Sequence, residues 1–433
     1  MVLRYVINYK VYECFTGFIE LQSCTAESIT NSILNHLTDI GINANNLVGQ
    51  GYDGASTMAG HVTGVQTRIR EKYPRAIYIH CSSHLLNLAV NDQNKVAEVR
   101  RTCDVVRSTI NYFKESYNRQ QLLAGASVPS FCPTRWTEKY TAIRLFKKNY
   151  VKFLDALEDL AGSNEDGAFG LKAVLEKHTI IYCLCLVSRI SGYLEPLSLA
   201  LQERGLLVTK VKKMIATLKE LLQEERNDET VANVLYSEAC EMADVEELAI
   251  PRINKRQSVR SNVPASNSPE YFKRSFFLPY IDSLLQSLNT RFADNNIFFD
   301  LYSILPPNQP CDLRRVEEFY GLDNLTAEVK LWRKGLSETD ALLSIGQLAE
   351  STCTEYRQVH EALNIILALP ATSVEAERAF SCLRIIKSWL RSTMTTDRLS
   401  GLAVIHAHSD RITEKTITEI VNRMTASKRR LKF

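Results

Sequence analysis

In the first 120 residues, segments with the hydrophobic pattern of strands alternate with segments that have the pattern of helices. β-branched and aromatic residues are dense in four short segments that the pattern predicts as strands: residues 2–9, 11–21, 46–52 and 76–80. Apolar positions three and four apart predict helices in the other segments: residues 25–37, 56–71 and 85–113, the last as one long helix or a pair. Residues 8–10 would form the turn between the first two strands. This β-β-α-β-α-β-α order predicts a mixed α/β sheet with helices packed on it.

The pattern becomes helical after residue 136. Helical spacing runs through three long segments: residues 140–226, 271–299 and 326–369. Gly192 and Gly205 are the expected interruptions of the first segment. Residues 226–268 are polar, and the segment 251–269, rich in Pro, Ser and Asn, is the predicted linker or surface loop.

A capping box is predicted near the end of the chain. Pro370 is followed by Thr372-x-x-Glu375, in which the threonine and glutamate side chains would satisfy backbone N–H groups of a new helix. The helix would run to about Arg391, and a second helix would cover residues 396–408.

Composition limits the class of protein. A chain of 433 residues exceeds one compact domain, and its fractions of hydrophobic (45%) and charged (23%) residues are those of globular proteins. The formal charge of +3 means that any affinity for nucleic acid would come from local patches. Eleven cysteines without a CxxC pair, together with an N-terminus unlike a secretory signal, indicate free thiols in a reducing intracellular compartment. The sequence contains no run of 18 apolar residues without charges, so no membrane span is predicted.

Asp53 is the first candidate site residue. It follows the third predicted strand within Gly49-Gln-Gly51-Tyr52-Asp53-Gly54. Ligands of open α/β sheets collect where strands end, and glycines let other groups approach the backbone closely. The alternative is that Asp53 caps the following helix or shapes a turn. The glycine spacing is not that of a dinucleotide-binding loop.

A second candidate is His80-Cys81-x-x-His84. Zinc would need four ligands, and no second Cys/His pair has a suitable spacing. A cysteine nucleophile would need an orienting residue and an oxyanion hole that nothing else in the sequence indicates. The structural alternative is a junction between a strand and a helix, with Cys81 buried.

Trp136 and Glu377 are two further candidate site residues. Trp136 in CPTRW could stack on a base or fill the core. Glu377 lies beside the apolar Phe380 and is not explained by the capping box, so its carboxylate needs a partner or a metal ion.

Four blocks in this order resemble the hAT superfamily of DNA transposases and the cellular proteins derived from them. They are GQGYDGASTMAG (49–60), HCSSHLLNLAV (80–90), CPTRW (132–136) and ALPATSVEAERAFSCLRIIKSWLRSTMTTDRLSGLAVI (368–405). The last block is similar to the hAT C-terminal dimerisation region. Within the superfamily, the chain looks most similar to the group that includes the MYM-type zinc-finger and THAP-related repressor relatives.

The resemblance implies a fold that is α/β with an all-α insertion. A ribonuclease-H-like mixed sheet would be interrupted by a large helical domain. The implied parts are a first portion of the core over residues 1–136, the insertion over 137–365, the dimerisation region that completes the core over 366–410, and a basic tail over 411–433.

The resemblance also implies roles for individual residues. Asp53 and Glu377 match the second and third catalytic acids, which hold metal ions, with magnesium as the cofactor of an active enzyme. His84, Arg135 and Trp136 match residues that handle the DNA end. The family's first acid lies on a strand just upstream of a segment like VLRYV, where this chain begins. We therefore expect the first acid, its strand and an N-terminal zinc-finger module to be missing.

These implications give one expected function and two alternatives. We expect a transposase-derived, non-catalytic protein that needs no cofactor. The alternatives are an active hAT transposase with metal-dependent DNA cleavage and strand transfer, and a fragment of a longer transposase-like protein.

Partners are expected from the same resemblance. The chain would dimerise with itself or with related hAT-like chains through apolar residues of the last block: Phe380, Leu383, Ile386, Trp389, Leu390, Leu399 and Leu402. The alternative is that these residues are buried within one monomer. The basic segments 252–260 and 428–432 could contact DNA and direct the chain to the nucleus, or be solvated surface. No membrane partner is expected.

Overall fold

The computed structural model describes most of the chain. The described residues are 1–92, 96–123, 125, 128–129, 136–163, 165–251, 262–293, 297–306, 308, 313–337, 343–352, 355–387 and 394–426.

The described secondary structure is mostly helical. The four strands are β1 (Val2–Ile7), β2 (Lys10–Phe15), β3 (Gly49–Tyr52) and β4 (Ile77–His80). The helices of the first half are α1 (Ala26–Asp39), α2 (Ser56–Ala59), α3 (Val65–Lys72), α4 (Ser82–Asp92), α5 (Ala97–Lys114), α6 (Tyr117–Gln121), α7 (Trp136–Lys148), α8 (Tyr150–Gly162), α9 (Ala168–Leu175), α10 (His178–Ala200) and α11 (Val208–Asn227). Those of the second half are α12 (Glu229–Ala243), α13 (Ser268–Phe272), α14 (Leu278–Arg291), α15 (Ile297–Tyr302), α16 (Arg314–Tyr320), α17 (Leu325–Gly335), α18 (Ile345–Thr352), α19 (Arg357–Ala368), α20 (Val374–Ile386), α21 (Thr396–Ala407) and α22 (Glu414–Ala426).

The chain divides into two compact units. Unit 1 consists of residues 1–81, 204–209 and 295–433, and unit 2 consists of residues 82–203 and 210–294. All four strands belong to unit 1. The domain boundaries that the family resemblance implies stay predictions.

The N-terminal hairpin forms where the pattern predicts it. β1 pairs antiparallel with β2 from Val2 opposite Phe15 to Ile7 opposite Lys10. Asn8 and Tyr9 at the tip both have positive φ, 48° and 61°, as a two-residue turn between twisted strands requires. The second strand ends at Phe15, earlier than the predicted residue 21.

The other two strands form a parallel pair. β3 runs beside β4 with Gly49 opposite Ile77 and Tyr52 opposite His80, and the connection between them passes through α2 and α3. The predicted order of strands and helices is therefore confirmed. Within the described residues the strands pair as two separate two-stranded sheets, so a single ribonuclease-H-like mixed sheet stays a prediction.

Unit 1 is organised around the apolar helix α19. Its buried residues join one large cluster with side chains of α15 to α18 and with Ile77 of β4. Val6 and Val11 of the hairpin pack against the same cluster. The two sheets therefore share one apolar core, which is why strands this short are stable.

A second, smaller cluster holds the end of the chain against the hairpin. Phe15 at the end of β2 packs with Cys382 and Ile386 of α20 and with Leu399 and Ala403 of α21. The predicted second helix over 396–408 is confirmed to within one residue by α21. The predicted end of the preceding helix near Arg391 lies outside the described residues, which give α20 as far as Ile386.

A buried ion pair connects three distant segments of unit 1. Arg4 on β1 donates to the carboxylate of Glu13 on β2 (2.7 Å) and to the carbonyl of Leu367 in α19 (3.2 Å). Glu13 also accepts the backbone N–H of Gly205 (3.1 Å). The two charged side chains are only 6% and 16% exposed, so the pair is largely shielded from water.

The two predicted glycine interruptions have different outcomes. Gly205 lies outside any helix with φ +65°, a conformation that favours glycine, so this prediction is confirmed. The prediction for Gly192 is wrong, because it lies inside α10. No atom would obstruct a Cβ there, and the packing of the surrounding helix outweighs the low helix propensity of one glycine.

Unit 2 is helical around α10. This helix of 23 residues packs against α5, α7 and α12, and most of its residues are buried. By length and composition α10 could cross a membrane, although the sequence pattern predicts no span. Two thirds (67%) of its most apolar window is buried inside the structure, which is typical of a core helix.

Breaking the buried ion pair should destabilise the protein. We expect Arg4→Met to lower the free energy of unfolding by about 3–5 kcal/mol, because Glu13 would stay buried without its cation. Adding Glu13→Leu should recover most of that loss. As a matched control, Arg107→Met, which breaks an exposed pair with Asp104, should change the free energy by less than about 0.5 kcal/mol. Urea unfolding followed by circular dichroism gives the free energy of unfolding of each variant. Equal effects of Arg4→Met and Arg107→Met would contradict the stabilising role of the buried pair.

Candidate functional site

The carboxyl ends of β3 and β4 bring two sequence-predicted positions together. Asp53 directly follows β3 and Cys81 directly follows β4, and the strands are in register up to Tyr52 and His80. The N–H of Cys81 donates to the carbonyl of Tyr52 (2.9 Å), which extends the pairing by one step. Asp53 and Cys81 therefore stand side by side at the same edge of the sheet.

The glycines of the first block are explained by a close crossing of the chain. A Cβ atom on Gly49 would lie 2.8 Å from the side chain of Leu369, and one on Gly51 would lie 2.9 Å from the ring of Pro370. Real Cβ atoms do not approach other atoms this closely. The segment that precedes α20 thus lies directly on β3, in contact with its two glycines.

Gly54 makes a similar close contact. A Cβ there would lie 2.6 Å from Cε1 of His80, so the imidazole ring of His80 lies against the backbone of the loop that carries Asp53. This contact fixes the loop after β3 relative to the last residue of β4.

Cys81 connects the sheet edge to α20. Its Sγ, which is buried, accepts the backbone N–H of Ser373 (3.3 Å), the residue just before the helix. Sγ also lies within 4.8 Å of a carboxylate oxygen of Glu377. Ser373 Oγ donates to Glu377 Oε1 at 3.4 Å. Glu377 therefore returns to the edge that carries Asp53, as the family resemblance implies.

Asp53 is held by its own loop. Its Oδ1 accepts the N–H of Ala55 (3.2 Å), and its carbonyl accepts the hydroxyl of Tyr78 (3.0 Å). Burial, with smaller contributions from Asp53 and Cys81, raises the pKa of Tyr78 to about 12. The hydroxyl is therefore protonated at neutral pH and remains a donor. These contacts are those of the turn-shaping alternative, and the catalytic role of Asp53 stays a prediction.

The predicted capping box is wrong. α20 begins at Val374 after Ser373, and no side chain caps its first N–H groups. The carboxylate of Glu375 instead forms ion pairs with Arg204 (3.3 Å) and Arg378 (2.9 Å). The helix starts one residue later than predicted, so Glu375 does not stand at the position that a capping box requires.

Arg204 was missed by sequence reasoning. It lies in the short segment 204–209 of unit 1, more than a hundred residues from Glu375 in sequence. Its only local signal is the following Gly205, which marks a turn and says nothing about a partner.

His84 and Trp136 both open helices. β4 ends at His80 and α4 begins at Ser82, which confirms the strand-to-helix junction proposed for this block, and His84 lies on the first turn of α4. Trp136 is the first residue of α7; its side chain and the whole of Arg135 lie outside the described residues. The role of these three residues at a DNA end stays a prediction.

The residues predicted to mediate dimerisation fall into two groups. Ile386 and Leu399 are buried and Leu383 is partly buried in the small cluster beside Phe15. Phe380 and Leu402 are exposed. The remaining predicted positions lie outside the described residues: Trp389, Leu390 and the basic segments 252–260 and 428–432.

The described donor groups at this edge of the sheet are of mixed type. Magnesium takes oxygen ligands in octahedral geometry. Glu377 has the hydroxyl of Ser373 at 3.4 Å and the thiol of Cys81 within 4.8 Å, and the carboxylate of Glu375 is paired with two arginines. The metal-binding role that the resemblance implies for Asp53 and Glu377 stays a prediction.

Comparisons with known proteins support the family resemblance. Residues 1–64 match the family model described as ZMYM1/FAM200, RNase-like domain, and residues 322–410 match the model described as the hAT family C-terminal dimerisation region. The chain is 22% identical to the human "52 kDa repressor of the inhibitor of the protein kinase" over 93% of this chain and 58% of that protein. The mouse protein of the same name is 21% identical over 95% of this chain and 60% of its own length.

These matches confirm the resemblance to hAT-derived proteins that the four sequence blocks predict. The RNase-like match covers the hairpin, α1, β3 and α2, and the dimerisation match covers α17 to α21. The chain spans about three fifths of the length of the curated relatives it matches.

The crossing of Pro370 over β3 can be tested with a single methyl group. We expect Gly51→Ala to lower the free energy of unfolding by about 1–3 kcal/mol, because the proline ring cannot rotate away. The control is Gly401→Ala in α21, where a Cβ would meet nothing. It should raise stability by up to about 1 kcal/mol through the higher helix propensity of alanine. Urea unfolding of both variants is the measurement, and a Gly51→Ala protein as stable as the wild type would contradict the contact.

Proposed function

We propose that this chain is a transposase-derived protein that associates with a second hAT-like chain through its C-terminal region and does not cleave DNA. The match of residues 322–410 to a dimerisation region supports the first part. The contacts of the acidic residues support the second.

The observation that carries self-association is the exposed apolar surface of α20 and α21. One side of these helices closes the small cluster on Phe15. On α20, Phe380 and Ile385 are 61% and 68% exposed, and on α21, Leu402 and Ile405 are exposed as well. Large apolar side chains grouped on two packed helices are typical of a protein-binding surface.

A non-catalytic role is supported by the partners of the carboxylates. Asp53 Oδ1 accepts a backbone N–H of its own turn, and Glu375 is paired with two arginines. Glu377 lies beside the thiol of Cys81. Asp53 and Glu377 match the acids that the family uses for chemistry, and their contacts support a structural role for them here.

An active hAT transposase is the second candidate function. It is favoured by one observation, the return of Glu377 to the strand edge that carries Asp53. A cleavage assay separates it from the first proposal.

Contact with DNA and a nuclear location belong to the same proposal. They are supported by the basic clusters in segments 252–260 and 428–432. Binding through phosphates would weaken steeply as salt is raised, which fluorescence anisotropy with duplex DNA would show.

Self-association should depend on the exposed residues of α20 and α21. We expect the wild-type chain to sediment at twice its monomer mass of 49.1 kDa. The double variant Ile385→Glu/Ile405→Glu should weaken the dimer at least about tenfold, since charges placed in an apolar interface lose their hydration. The control Val62→Glu changes an 82% exposed apolar residue elsewhere in unit 1 and should leave the mass unchanged. A wild-type chain that sediments as a monomer would overturn the proposal of self-association.

DNA cleavage should be absent. We expect the wild-type chain with Mg²⁺ or Mn²⁺ to cut supercoiled plasmid no faster than the double variant Asp53→Asn/Glu377→Gln. Agarose gels measure the nicked and linear products. Metal-dependent cleavage by the wild type that the double variant lacks would replace this proposal with the active transposase.

A further inference from the structure

Unit 2 contains a groove that the proposed function does not use. It is lined by residues of α7, α10 and α12, all of them in unit 2. Because α7 and α12 both pack on α10, α10 forms the floor of the groove and the other two helices form its walls. The groove encloses about 780 Å³, a volume within the range of ligand-binding clefts. It lies outside both segments that match family models.

The charges of the groove are sorted by helix. The three bases are all on α7, and the three acids are on α10 and α12: Arg144, Lys147 and Lys148, and Glu195, Glu238 and Glu241. The six charges sum to zero. A ligand with one sign of charge would be attracted by one side of the groove and repelled by the other, so nucleic acid or a polyamine gains little affinity here. A ligand that carries both signs can gain from both sides.

Two ion pairs connect the helices across the groove. Arg144 pairs with Glu195 of α10. Lys147 pairs with Glu238, so the walls formed by α7 and α12 are close enough for one lysine side chain to reach across. Both pairs are partly exposed, and ion pairs of this kind contribute little to stability. A ligand can therefore replace them at small cost.

One charge of each sign in the groove is not used in this way. The side chains of Lys148 and Glu241 are exposed, and within the described part of the chain neither forms an ion pair or a hydrogen bond. A ligand can contact these two groups without breaking an existing interaction.

The shape of the groove suits an extended peptide. Thr141, Arg144 and Lys148 recur three and four residues apart, so the groove follows one face of α7. Seven helical steps span about 10.5 Å, the length of about three extended residues. Successive side chains of an extended peptide point to opposite sides, which here are the two walls. Leu145 and Met242 supply apolar contacts for the aliphatic stems of charged side chains.

We propose that this groove binds a short extended peptide of a partner protein in which acidic and basic side chains alternate. The acidic side chains of the peptide face α7, and its basic side chains face α12. Lys148 and Glu241 supply the contacts that require no exchange of ion pairs. The groove belongs to unit 2 and the surface proposed for self-association belongs to unit 1, so either function can fail without the other.

The first experiment compares peptides that have the same composition. Capped, fluorescein-labelled hexapeptides are titrated with the full chain at low salt, and binding is followed by fluorescence anisotropy. We expect Glu-Lys-Glu-Lys-Glu-Lys to bind at least about fivefold more tightly than Glu-Glu-Glu-Lys-Lys-Lys, in which half of the side chains would face a wall of their own charge. Hexaglutamate and hexalysine should also bind less tightly than the alternating peptide. Equal affinities for the two mixed peptides, or no binding of either, would overturn the proposal.

The second experiment reverses the two free charges of the groove. Lys148→Glu and Glu241→Lys should each weaken binding of the alternating peptide by about fivefold, because each replaces an attraction with a repulsion. The matched controls Lys152→Glu and Glu220→Lys make the same changes at exposed positions of unit 2 that do not line the groove. They should leave the affinity within about twofold of the wild type. All four side chains are exposed, so the melting temperatures should stay close to that of the wild type. Controls that weaken binding as much as the groove variants would overturn the site.

The same variants distinguish the peptide from a nucleic-acid ligand. Removal of an acid strengthens binding of a phosphate backbone, and removal of a base weakens it. Short single-stranded DNA that Glu241→Lys binds more tightly than the wild type, and Lys148→Glu less tightly, would assign the groove to nucleic acid and overturn the proposal. The alternating peptide should instead be weakened by both changes.

Discussion

The ion pair between Arg4 and Glu13 is the interaction on which unit 1 depends. A charge pair this deep is stable only when its remaining hydrogen-bonding capacity is satisfied, and here the backbone of two other segments satisfies it. The carbonyl of Leu367 is 363 positions from Arg4 in sequence, and the N–H of Gly205 is 192 positions from Glu13. The pair therefore orients β1 and β2 and also fixes where α19 ends and where the segment 204–209 returns to the unit.

The position of α19 in turn determines where the residues of the candidate site lie. Two residues after Leu367 the chain crosses β3, and the glycines at 49 and 51 leave room for Leu369 and Pro370. α20 then begins beside Cys81 and presents Glu377 at the edge that carries Asp53. The glycine block that suggests a ligand loop in the sequence thus has a packing function: it accommodates the segment that leads to Glu377.

Local features of this fold could be predicted from the sequence, and long-range partners could not. The turn at Asn8 and Tyr9, the helix that follows Thr25 and the order of strands and helices depend on neighbours within a few residues, so composition and period reveal them. The capping box failed because the helix begins one residue later than predicted, with Ser373 and not Thr372 at its N-cap. Arg204, a partner of Glu375, is too distant in sequence for any local pattern to indicate. The convergence of Asp53 and Glu377 came only from the family resemblance, since no spacing in the sequence implies it.

Unit 1 consists of three separate segments of the chain, so its parts are synthesised at different times. Leu367, whose carbonyl accepts from Arg4, is 363 positions downstream. At ordinary translation rates, about 20 to 70 s therefore pass between the synthesis of Arg4 and that of Leu367. During that time the apolar face of the hairpin, with Val6 and Val11, has no core to cover it. Unit 2, which contains most of the intervening residues, can complete its own core in the meantime. The hairpin can therefore reach its native packing only after most of the chain has been synthesised.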